Sequence, residues 1–172
     1  MSAPSLRQVV REQFGAAVDM LENAMRACPD PLWDDASLPV PRRFWYQAFH
    51  TLFWLDWYLA DSMESFGPPR PFTRDEFDPA GVYPERAYTK AELFDYLTHG
   101  RERLRVKLDA LDDASAMRRT HVRSKEFSTL ELHLYSMRHV QHHAAQMNLL
   151  LRQGTDSAPR WITRGGEPPP TA

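Results

Sequence analysis

The sequence predicts an all-α fold, a four-helix bundle, on three observations. Four segments carry apolar residues at helical spacing, most of the 14 prolines fall between those segments, and no run reads convincingly as a strand. A bundle is the simplest way to bury four apolar stripes. At 172 residues the chain suits one core, and a domain of that size buries roughly 70% of the surface it exposes when unfolded.

The first helix is expected over residues 5–26, where Leu6, Val9, Val10, Phe14, Ala17, Leu21 and Met25 recur at three- and four-residue steps and Ser5 can cap the start. The second, over residues 42–66, follows Pro39 and Pro41 and stops before Gly67-Pro68-Pro69; it is the most apolar of the four. A proline-rich loop of about 20 residues comes next, a length that marks a functional or loosely ordered connection. The third helix begins after Thr89, with Glu92 at capping-box spacing and Phe94, Leu97, Leu104, Leu108 and Leu111 as its core face. Residues 112–127 connect to the fourth, which starts near Ser128 or Thr129 with Glu131 as box partner and runs to Gln153 before Gly154. The bundle domain is therefore assigned to residues 1–153, and residues 154–172 to a loosely held C-terminal tail.

Basic and acidic residues number 21 and 23, a formal charge of -2 that leaves no excess of positive charge for phosphates, so no nucleic-acid partner is expected. Cys28 is the only cysteine, which excludes an internal disulfide or a cysteine-based zinc cluster and suits a reducing compartment. The opening MSAPSLRQVVREQF has no long apolar run, so neither a secretion signal nor a membrane anchor is expected, and a cytoplasmic location is.

Histidine carries the chemical signal. At 100° per residue, His139, His143 and Gln146 share one face of the fourth helix with Leu132 and Leu150, within about 60° of arc. Side chains four apart have Cβ atoms about 5 to 6 Å apart, close enough for two imidazoles to share an ion at metal–nitrogen distances of about 2.0 to 2.1 Å. On the second helix His50 points where Tyr46, Phe53, Trp54 and Trp57 point, toward the core. A buried imidazole needs hydrogen-bond partners or a metal, because an unpaired polar group costs on the order of 1 to 3 kcal/mol. One divalent ion would satisfy all three rings, and hydrogen-bonded core histidines are the competing account. His142 lies toward the edge of the same face as a supporting or surface group, and His99, His121 and His133 read as ordinary surface or loop residues.

FHTLFWLDWYL around His50 and RHVQHHAAQMNLLLRQ around His139 and His143 resemble the two signature segments of the DinB/YfiT-like superfamily, over about residues 5–153. The resemblance implies an up-down-down-up bundle holding a divalent metal through His50, His139 and His143. Ala145 stands before Gln146 where the family often has glycine. Members include transferases and isomerases using low-molecular-weight thiols such as bacillithiol or mycothiol, metal-dependent hydrolases, and DNA-damage-induced proteins of no known activity.

Three neutral histidines leave a coordination position open, as catalytic zinc sites do. The expectation is a metal-dependent enzyme, with a thiol S-transferase acting on small electrophiles placed ahead of a hydrolase, and a non-catalytic metal-binding stress-response protein as the competing class. Zinc or nickel is the expected ion, although imidazole also accepts copper and iron. Gln146, His142, Trp54 and Trp57 are candidates for supporting the ligands or binding substrate; Arg43, Asp61 and Glu64 lie on the His50 side of their helix and are weaker candidates. A homodimer is also expected, because Ala48, Leu52, Leu55 and Leu59 form a second apolar stripe opposite His50 that needs a cover and the resemblance implies association; the proline-rich loop or the tail with Trp161 is the alternative cover.

Overall fold

A computed structural model describes residues 4–166 of the chain. Its four long helices are α1 (Leu6–Ala27), α3 (Phe44–Tyr58), α4 (Lys90–Asp109) and α6 (Thr129–Thr155), with short helices α2 (Asp30–Trp33) and α5 (Asp113–Ala116) in the connections. α1 and α3 each pack against both α4 and α6, so the long helices enclose one core of helix-borne apolar side chains. The fold is all-α apart from one small sheet.

The helix starts obey local hydrogen-bond rules. Ser5 accepts from the N–H of Gln8, while Thr89 with Glu92 and Ser128 with Glu131 form complete capping boxes, each satisfying two otherwise orphaned N–H groups. α6 runs two residues past Gln153 and ends at Asp156 in the left-handed region.

Three expectations need correction. The second predicted helix ends at Tyr58, not at residue 66; Asp61 lies beyond its end and pairs with Lys107 of α4. The 112–127 connection holds α5 and most of a β-hairpin, in which β1 (Arg119–Val122) pairs antiparallel with β2 (Lys125–Ser128). The tail is docked as far as it is described: the Gly165 N–H donates to the Glu12 carbonyl at 2.7 Å and that of Gly166 to the Asp19 carboxylate at 3.0 Å. Residues 167–172, the rest of the predicted tail, lie outside the described residues.

α3 is buried nearly all round, as a helix apolar on every face must be. The stripe expected to seek a second copy, Ala48, Leu52, Leu55 and Leu59, is at most 1% exposed within the single chain. Gly100 of α4 lets that helix approach closely, since a Cβ there would lie 3.3 Å from the Leu55 side chain. The opposite face is covered by the proline-rich loop, whose Phe66, Phe72 and Phe77 meet Phe53, Phe49 and Trp54 at ring separations of 5.4, 6.0 and 5.7 Å. The loop is thus an aromatic wall of the core.

Candidate metal centre

The packing of α3 against α6 brings His50 to His139 and His143. Ring centroids lie 5.3 Å apart for His50 and His139, 4.7 Å for His50 and His143, and 4.5 Å for the pair on α6. One nitrogen of each ring lies within 4.8 Å of the others. The Nε2 atoms of His50 and His139 are 3.4 Å apart, the spacing that two metal–nitrogen bonds of about 2.0 to 2.1 Å subtend at a tetrahedral ion.

The surrounding groups fix which nitrogens are free. Glu76 is nearly enclosed, its side chain 5% exposed, and one carboxylate accepts from His50 Nδ1 at 2.7 Å, Trp54 Nε1 at 2.8 Å and Tyr46 Oη at 2.7 Å. Burial opposes its ionisation, but these donors outweigh burial and hold its pKa below the usual glutamate value. An ionised carboxylate only accepts, so His50 carries a proton on Nδ1 and its Nε2 is the nitrogen that faces the centre. His143 does the same, because its Nδ1 lies 2.7 Å from the Gln146 carbonyl oxygen. The Nε2 atoms of His50 and His143 therefore face the centre beside His139, an arrangement that fits a shared cation. Burial, reinforced by repulsion among the rings, pushes His139 down to about 3 and His143 to about 4, keeping both in the neutral, metal-binding form.

Two pockets meet at the triad. One of about 480 Å³ reaches His50 and His143 past Tyr46, Tyr83, Asp75 and Asp78. The other, of about 460 Å³, reaches His50 and His139 between Trp54, Trp57 and Tyr58 on one side and the hairpin on the other.

The remaining predicted residues divide. Gln146 orients His143, and Trp54 holds Glu76 and lines the second pocket. Trp57 also lines that pocket, with its indole N–H directed to the Met63 carbonyl. His142 is exposed, meets His143 edge-on at 5.0 Å and lines a third groove, of about 630 Å³, that His139 and Trp161 also line. Arg43 is occupied away from the centre by Asp34, and Glu64 is exposed on the far side of Trp57. One histidine read as a surface residue is not: His133 is 4% exposed; His99, its side chain 38% exposed, reaches inward to bond the fully buried Asp56, which also takes Arg103 and Tyr96. Sequence reasoning missed Glu76 and the hairpin residue Arg123, since no spacing rule links either to the histidines.

Fold and site together define a helical bundle with a three-histidine centre able to hold a metal ion. Residues 13–147 match the family model of the DinB superfamily, and the chain belongs to that family. No curated protein and no solved structure matches it.

Proposed function

We propose that this protein is a metal-dependent enzyme that transfers a small thiol to an electrophilic substrate, with His50, His139 and His143 as ligands of one divalent ion, zinc or nickel. The observation that carries the reading is the convergence of imidazole nitrogens at the junction of two pockets. When bound, such an ion supplies Lewis-acid chemistry, favouring the deprotonated form of a thiol or water that reaches it. Glu76 and Gln146 hold His50 and His143 in the tautomer the ion requires. Trp54, Trp57 and Tyr58 provide a dry wall against which a small substrate can be positioned.

The carboxylates favour thiol transfer over hydrolysis. Beyond the help the ion itself would give, base-assisted hydrolysis uses a carboxylate free to take a proton from water. Glu76 is engaged by three donors, while Asp75 accepts from Thr73 and Asp78 from the Ala80 N–H. The thiol must come from outside the chain, because Cys28 is buried at the end of α1 and burial pushes its pKa up to about 12. In the transfer the thiol loses its proton to solvent, its sulfur bonds to the electrophilic carbon, and the leaving group departs with the electron pair of the bond that breaks.

Metal analysis of untagged protein, followed by assay with N-acetyl-L-cysteine and 1-chloro-2,4-dinitrobenzene, tests the reading. Expected are one ion per chain, thiol-dependent turnover that a chelator abolishes, and loss of both in His50→Ala, His139→Ala and His143→Ala. Metal retained by His139→Ala or His143→Ala overturns the ligand set. Ester cleavage without thiol would favour the hydrolase, and a coordinatively saturated ion without turnover a structural role.

A further inference from the structure

The two approaches to the centre differ in charge. Asp75, Glu76 and Asp78 line one, with Arg42 at its rim. The other has no acidic residue in its lining, and the hairpin contributes Arg123 and Lys125 to it. Arg123 occupies a two-residue turn between Val122 and Lys125 with φ of 54°, a left-handed position that glycine or asparagine fills at lower cost. Its guanidinium lies over the rings of Trp54 and Trp57, 5.0 and 5.7 Å from their centroids. No carboxylate among the described residues forms an ion pair with it, whereas Arg119 in the same hairpin is taken by Glu126 and Glu131. Trp54 in turn meets His50 at 6.1 Å, so one indole separates the cation from a ligand of the centre.

We propose that Arg123 is a specificity-determining residue that binds the carboxylate of an anionic small substrate in the hairpin pocket, holding the substrate's reactive end toward His50 and His139. The proposal rests on the thiol-transfer reading of the centre and names the charge of the substrate entering on this side. Several features of the pocket suit the role. Cation–π contact with two indoles holds the guanidinium beside the pocket, and no carboxylate among the described residues takes its N–H groups, which leaves them able to recognise a carboxylate through paired hydrogen bonds. Lys125 adds positive charge, and the aromatic wall lowers the local polarity, which strengthens both interactions. The acidic residues of the opposite pocket repel an anion and leave that side to a neutral or cationic partner.

Calorimetric titration of the zinc-loaded full chain with N-acetyl-L-cysteine, its primary amide and N-acetyl-L-alanine tests this directly. The acid should bind at least about tenfold more tightly than the amide, as a charge-assisted hydrogen bond predicts. Arg123→Gln should remove that preference while leaving the amide's affinity unchanged, and Arg123→Lys should retain part of it. Equal affinity for acid and amide in the wild type, or an equal loss for both in Arg123→Gln, overturns the proposal. N-acetyl-L-alanine separates this site from the reading beneath it. If it binds as tightly as the thiol and still depends on Arg123, the anion site stands and thiol binding at the centre falls. If both cysteine derivatives bind alike and the alanine derivative fails, the thiol reading stands and the anion site falls.

Discussion

At the residue scale, Glu76 decides how well His50 presents its nitrogen. Glu76→Gln keeps the shape but weakens the hold on Nδ1–H and leaves an amide N–H₂ facing the indole and phenol donors. Supporting groups of this kind are worth about 10- to 100-fold in metal affinity, and a loss in that range is expected by chelator competition. An unchanged affinity would remove Glu76 from the site. His133 makes a different prediction. Burial, with the charge of Lys107 adding to it, lowers its pKa to about 4, so the folded protein keeps it neutral. The unfolded chain returns it to about 6.5. Between those values the unfolded state binds a proton that the folded state refuses, so this residue makes stability fall as pH drops through the window. His133→Gln, compared with wild type in urea at pH 7.5 and pH 5.0, should show the shallower loss; equal losses would mean His133 is not held neutral.

At the element scale, the legible features were those written locally. Capping boxes at Thr89 and Ser128 need only a hydroxyl and a glutamate three residues apart, and the i, i+4 histidines need only one helix. The hairpin was not legible: its strands are four residues each, each buries one side chain, and its turn carries Arg123 and Ser124 in place of the usual glycine or asparagine. Nor was the end of α3 at Tyr58, because apolar spacing continues past it while the chain turns so that Met63 can accept from Trp57. Glu76 and Arg123 reach the centre only through tertiary packing. The docked tail is a further element without a sequence signal, and it depends on two glycines meeting. A Cβ on Gly165 would lie 2.6 Å from backbone atoms of Gly15, too close for either chain to yield. Gly165→Ala is expected to release the tail from α1 at a cost of about 1 to 3 kcal/mol, seen as a lower Tm and faster proteolysis after residue 156. Wild-type behaviour in both would show that the contact is not tight.

At the scale of the whole molecule, the stripe of α3 that the sequence offers as a contact surface is covered within the chain, so it carries no argument for assembly. A helix apolar on every face signals a central position as readily as an interface, and here α4 and the aromatic loop supply the cover. Leu52→Glu/Leu59→Glu should therefore unfold the chain, since each charge enters a fully packed core at a cost of several kcal/mol. A folded, monomeric double variant in sedimentation and circular dichroism would instead return that stripe to an interface. Among the described residues no helix is long and apolar enough to cross a membrane. The bond from Glu76 to His50 has a further consequence, because it joins a loop to a helix and thermodynamic linkage is reciprocal. Whatever factor loop closure adds to ion affinity, ion binding must add to loop closure. Backbone amides around Asp75–Phe77 should then exchange with deuterium more slowly once zinc is bound, and the protection should shrink in Glu76→Gln. Escape of the ion would be timed by the breathing of a segment that never touches it.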